Sequence, residues 1–113
     1  MALKPNTTTR ILNVYLPYDL ENSCVVPWNE TTMLVTGGEN RNGDQHGTFF
    51  VNIETETITP GPDMQKRRSS HGCQEFLFQG HPYIIVGGGY GTKSTEVLDK
   101  NNVGQGWTKG KQK

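Results

Sequence analysis

Two stretches, residues 33–38 (MLVTGG) and 83–89 (YIIVGGG), decide how this chain is to be read. Each is a short apolar run stopped by consecutive glycines, and Gly37 and Gly87 lie 50 residues apart. Three further landmarks recur in the same order. Cys24 and Cys73 are 49 apart, Val51 and Leu98 are 47 apart, and Ile58 and Trp107 are 49 apart. Self-similarity at a nearly fixed period marks a repeat architecture, in which one unit cannot bury its apolar faces alone.

Around these stretches the chain alternates between short apolar runs and turn residues. Residues 24–28 (CVVPW) and 33–36 (MLVT) flank a polar turn at 29–32, and a polar loop follows at 39–47 (ENRNGDQHG). Residues 48–55 (TFFVNIET) place Phe49, Val51 and Ile53 on one face, the period of two expected of a half-buried strand. A partner strand at 56–59 ends at Pro60-Gly61-Pro62. The order then repeats: a run at 71–79, a turn at Gly80-His81-Pro82, a run at 83–86, a loop at 90–93, and strands at 94–99 and 106–110. Short strands at regular spacing predict an all-β, antiparallel protein with four strands in each repeat. Phe49, Val51, Phe76, Leu77, Phe78, Ile84 and Ile85 are the expected core.

Composition agrees. The chain has 113 residues, room for one ordinary domain, with one alanine against 14 glycines and 6 prolines. Its formal net charge is zero, which gives no electrostatic case for nucleic acid or an anionic membrane. No apolar run approaches the ~18–20 residues that span a bilayer. The start of the chain shows no apolar leader, and residues 1–9 are polar without pattern, so disorder is expected there. Two N-x-[ST] sequons, at Asn6 and Asn29, carry no weight by themselves in a chain so rich in Asn, Ser and Thr. Cys24 and Cys73 could form one disulfide in an oxidising compartment. Their equivalent places in the repeat instead favour two buried, reduced thiols.

The chain resembles two divergent kelch repeats of a β-propeller. The resemblance rests on apolar runs closing on the double glycine, a polar loop, a strand with an acidic or amide residue (VNIET, VLDK) and a large apolar residue (Ile58, Trp107). After the first of these comes the stretch GPDMQKRRSSHGC. It implies a stub of a preceding blade at 10–21, repeat 1 at 22–64, and repeat 2 at 65–113 with a basic tail. Each repeat would be a four-stranded antiparallel blade with Gly37, Gly38, Gly87 and Gly88 at structural turns. Two blades cannot close a ring, so further blades in a longer chain, or oligomerisation, are implied, and the isolated chain should be marginal or associate.

Chemistry-bearing motifs are sparse. The glycines of 87–91 precede β-like sequence, not the helix a phosphate loop requires, and residues 104–111 miss the P-loop spacing by one. His46, His71 and His81 show no zinc spacing, and no cofactor is expected. His71 and Cys73 could share a strand face as a dyad, but a buried thiol is the simpler reading. The resemblance implies a non-catalytic module that binds a protein partner through loops on one face. Those loops map to 39–47, 61–70 and 90–93, with Arg41, Asp44, His46, Arg67, Arg68 and Tyr90 as contacts. The two arginines read more readily as solvated or structural charges holding adjacent blades together, because surface ion pairs are common and individually cheap. A fragment of a sugar-active kelch enzyme, galactose-oxidase-like or sialic-acid-isomerase-like, is the alternative. No BTB-like region accompanies the repeats.

Overall fold

The computed structural model describes residues 10–11, 14–15, 21–89 and 92–110. Its strands are β1 (Arg10–Ile11), β2 (Val14–Tyr15), β3 (Cys24–Pro27), β4 (Thr32–Thr36), β5 (Glu39–Asn40), β6 (Gly43–Asp44), β7 (Thr48–Asn52), β8 (Thr57–Pro60), β9 (Gly72–Phe78), β10 (His81–Gly87), β11 (Thr95–Asp99) and β12 (Thr108–Lys109). One 3-10 turn, Val103–Gln105, is the only helical element among the described residues. The protein is all-β. Strands β3-β4-β7-β8 form one four-stranded sheet and β12-β11-β10-β9 a second, with every pairing antiparallel. Within the expected stub β1 pairs with β2 and with no other strand among the described residues, and the expected polar loop at 39–47 carries a small hairpin, β5–β6. Residues 1–9 lie outside the described residues.

Strand register explains which side chains are buried. In the first sheet Val25, Val35 and Phe49 stand side by side on one face, and Val26, Leu34 and Phe50 on the other. The second of these faces meets the second sheet. Val26, Leu34, Ile84, Val86, Leu98 and Trp107 form one buried cluster there, joined by Met64 from the connection between the sheets. Val35, Phe49 and Val51 form a separate cluster on the opposite face of the first sheet.

The expected core needs correcting in β9. Leu77 is 67% and Phe78 58% exposed, and Phe76 and Ile85 are only half-buried. The strand looks apolar in sequence, but it is the edge of its sheet. Phe76 and Ile85 point to the face away from the first sheet. The turn after β9 is also one step earlier than expected. Gln79 (φ 53°) and Gly80 (φ 79°) make it, a two-residue loop with both φ positive that matches the twist of a hairpin. His81 and Pro82 already belong to β10.

The glycine landmarks shift by one residue. Gly37 and Gly38 have φ of 59° and 103°, and the residues that repeat this pair are Gly88 and Gly89, at 70° and 111°. Gly87 is the last residue of β10, paired with Thr95 and Gly72. A Cβ on Gly37 would collide with the Arg68 carbonyl and crowd His71. Gly37→Ala is therefore expected to cost at least about 2 kcal/mol, from the left-handed backbone and the clash together. Gly80→Ala meets nothing within 4 Å and should cost about 1 kcal/mol from φ alone. Urea titration of the two variants checks the ordering.

The cysteines are not reduced: Cys24 and Cys73 are joined as a disulfide, with Cα atoms 6.0 Å apart, and the expectation of two free thiols is overturned. Register supplies the reason. Cys24 pairs with Thr36, immediately before the left-handed glycine pair, whereas Cys73 pairs with Val86, two residues before it. Truly equivalent residues would point the same way in both sheets and could not meet. A one-residue offset turns a strand side chain to the opposite face. Cys24 thus faces the second sheet, and Cys73 faces back.

Candidate functional site

The connection between the sheets, itself the expected loop at 61–70, runs along one end of the molecule and is hydrogen-bonded to the loop at 39–47 and to Gly88 and Ser94, which flank the third expected loop. Met64 N–H donates to the His46 carbonyl (2.7 Å), Arg68 N–H to that of Gln45 (3.1 Å) and Gly38 N–H to that of Arg68 (2.8 Å). On its other side, Arg68 Nη1 donates to the carbonyls of Gly88 (2.8 Å) and Ser94 (2.7 Å).

Arg68 is the anchor of this end and is fully buried. Its Nε and Nη2 donate to Glu96 Oε2 at 3.2 and 3.1 Å, and Nη2 also donates to Ser94 Oγ at 2.9 Å. All five guanidinium donors are thereby used. The Glu96 carboxylate accepts the backbone N–H groups of Gln65 (2.6 Å) and Lys66 (3.0 Å). A buried ion pair is tolerable only with this degree of satisfaction. Arg68 therefore cannot serve as a surface contact, which corrects its place among the expected binding residues. Its structural alternative describes it: the charge ties the connection to the second sheet.

The other expected residues divide as follows. Arg67 is exposed and donates to the Asp44 carbonyl at 3.2 Å, while Asp44 Oδ1 accepts from Ser69 Oγ at 2.8 Å. His46 Nδ1 lies 3.6 Å from the Asp63 carboxylate. Arg41 is exposed in the turn between β5 and β6. Tyr90 lies outside the described residues. Asp44, His46 and Arg67 are thus gathered around the connection. Sequence reasoning missed Asp63, Glu96 and Ser69, which sit far from their partners along the chain and follow no motif. The exposed charges of this end are mixed, with Arg41, Lys66, Arg67 and Lys93 against Glu21 and Asp63, and the carboxylates of Glu39 and Asp44 half-buried beside them.

His71, at the entry to β9, lies beneath this end. Its Nε2 is 2.7 Å from Thr36 Oγ1, and Thr36 Oγ1 in turn donates to the Cys24 carbonyl at 3.3 Å. Nδ1 is buried without a partner. Burial foremost, and then the Arg68 charge, lowers the imidazole pKa to about 4, against the opposing pull of Asp44 and Glu96. The unfolded chain titrates near 6.5, so between pH 6.5 and 4 it binds more protons than the folded one. Stability is therefore complete above about pH 6.5 and falls progressively towards pH 4. His71→Gln keeps a hydrogen-bonding side chain and should flatten this part of the pH–stability curve, read by urea midpoints at half-unit intervals.

Among the described residues no group of three His, Cys, Asp or Glu side chains is placed to hold a metal ion. No helix among them is long and apolar enough to cross a membrane. No protein-family model matches the chain, and no curated protein matches it.

Proposed function

We propose that the two sheets are successive blades of a kelch-type propeller, and that the chain is a non-catalytic module binding a protein partner through the loop end around Arg68. The observation that carries the binding role is the convergence, on the buried and fully satisfied Arg68, of the loop at 39–47, the connection at 61–70 and the strand ends at Gly88 and Ser94. It gives a rigid base beneath exposed Arg41, Lys66 and Arg67. Loops held on a rigid β scaffold are the usual carriers of recognition. Guanidinium groups suit a partner that presents carboxylates. The blade reading is supported by the repeated left-handed glycine pairs and by the matching burial of Val51 and Leu98 in the third strand of each sheet.

A photo-crosslinking residue placed at Asn42 should capture a discrete protein that one placed at Asn101, at the far end of the second sheet, does not. Arg41→Glu with Arg67→Glu should abolish that adduct. Equal capture at both sites, or an adduct indifferent to both reversals, would contradict the binding role.

The blade reading also requires a neighbour on the far face of the second sheet. There Phe76 stacks on Tyr83 (centroids 5.4 Å apart), and Ile85 and Val97 remain half-buried. The isolated chain should self-associate or melt at low temperature, since that apolar surface costs about 25 cal/mol per Å² in water. Sedimentation over a concentration series checks this. A monodisperse monomer with a concentration-independent melt above about 65 °C would contradict it.

A further inference from the structure

The disulfide changes the meaning of a sequon that carries no weight by itself. Bonds of this kind form and persist in oxidising compartments. In such compartments, where the host has the machinery, Asn-x-Ser/Thr is an acceptor for N-linked glycan. Asn29-Glu30-Thr31 sits at an exposed turn between β3 and β4. The Asn29 side chain is already fixed there. Its Oδ1 accepts from the backbone N–H groups of Thr31 and Thr32, both at 2.9 Å, and from Thr31 Oγ1 at 3.2 Å. These bonds use only the amide oxygen. Nδ2, the atom that would be modified, takes part in none of these bonds, has no hydrogen-bond partner among the described residues and is on an exposed residue.

Asn29 also borders a cleft of about 420 Å³, at the end of the sheet interface remote from the Arg68 loops. Trp28 and Phe50 form its apolar wall, edge to face with centroids 4.8 Å apart. Asn52, Thr32, Thr57 and Thr59 supply neutral amide and hydroxyl groups, and among the described residues no charged side chain lines it. Lys100 holds one side of the wall in place: its Nζ donates to the Trp28 carbonyl (2.6 Å) and lies 4.8 Å from the centroid of the indole ring. Its volume falls within the range of small-molecule sites, about 300–1,000 Å³. An aromatic wall facing neutral hydrogen-bonding groups suits an uncharged sugar ring, whose C–H face packs on the aromatics while its hydroxyls meet the amides.

We propose that Asn29 is an N-glycosylation site and that the first sugar of the glycan rests in this cleft against Trp28. The co-reactant is a lipid-pyrophosphate-linked oligosaccharide. The bond from Nδ2 to the anomeric carbon forms, the glycosyl–phosphate bond breaks, Nδ2 loses one proton, and the lipid pyrophosphate departs.

The test uses the full chain, translated behind a secretion signal into microsomes. An Asn6→Gln background isolates the site. Asn29→Gln would break the turn, so the sequon is edited at Thr31. The Asn6→Gln chain should gain the mass of one glycan, removable by peptide-N-glycosidase. Adding Thr31→Ala should abolish the increment, and Thr31→Ser should retain it. A chain that is protected from protease and carries the Cys24–Cys73 bond, yet shows no glycan in the Asn6→Gln background, overturns the proposal. For the cleft, glycan trimmed to its first sugar is compared with glycan removed entirely. The indole N–H resonance of Trp28, assigned by its absence from the spectrum of a Trp28→Phe variant, should shift between the two forms, while that of Trp107 should not. An unchanged resonance on a glycosylated chain overturns the placement of the sugar.

Discussion

Replacing both cysteines, Cys24→Ser with Cys73→Ser, should lower stability by about 4 kcal/mol, the chain-entropy expectation for a cross-link closing a loop of this length. The two residues are 49 apart in sequence. For a domain of this size the loss corresponds to a fall in melting temperature on the order of 15–30 °C. The effect should be concentrated at the sheet interface, because the bond joins β3 to β9, the first strand of each four-stranded sheet. The measurement is a thermal melt of wild type and double variant, each with and without a thiol reductant. Wild type in reductant should approach the variant, and the variant should not respond. A variant as stable as oxidised wild type would show that the packed cluster around Leu34 and Ile84 holds the sheets together unaided.

The second large effect concerns Arg68 and Glu96. Arg68→Met should cost about 3–5 kcal/mol, because it strands a buried carboxylate and removes the guanidinium donors to the Gly88 and Ser94 carbonyls. Glu96→Met should cost a similar amount by leaving a buried guanidinium without its counter-charge. The combined Arg68→Met, Glu96→Met variant should lose clearly less than the two single losses together, since neither charge is then left alone. Arg67→Met, next in sequence but exposed, should change stability by less than about 1 kcal/mol. Urea unfolding of the four variants at neutral pH, with the disulfide intact, gives the cycle. Strict additivity of the two buried substitutions would mean that the pair does not act as a unit.

The period and the alternation of 48–55 were sufficient to read the strand order and the antiparallel sheets, because burial of one sheet face imposes a period of two that sequence displays directly. The register between the two sheets was not readable. It depends on whether Gly87–Gly88 or Gly88–Gly89 takes the left-handed turn, and three consecutive glycines offer no side chain to distinguish them. That single residue decided the fate of Cys24 and Cys73. Likewise Arg67 and Arg68 are chemically identical in sequence. Only the position of Glu96, 28 residues further on, selects which is buried. In β9 the apolar run EFLF gave no sign that Leu77 and Phe78 are exposed, since exposure at a sheet edge depends on what lies beside it. The loops at 39–47 and 61–70 were placed together by the repeat resemblance, but the His46–Asp63 and Asp44–Ser69 pairs needed coordinates.

The account rests on two sheets held face to face by a bond that only the one-residue offset allows. Peptide mapping of the unreduced protein, after removal of any glycan, tests this most directly. Trypsin should release residues 11–41 and 69–93 as one species, two daltons lighter than the sum of the separate peptides and resolved into both by reductant. Two separate peptides, each alkylated at its cysteine without prior reduction, would contradict the register, the packing of the sheets and the compartment together.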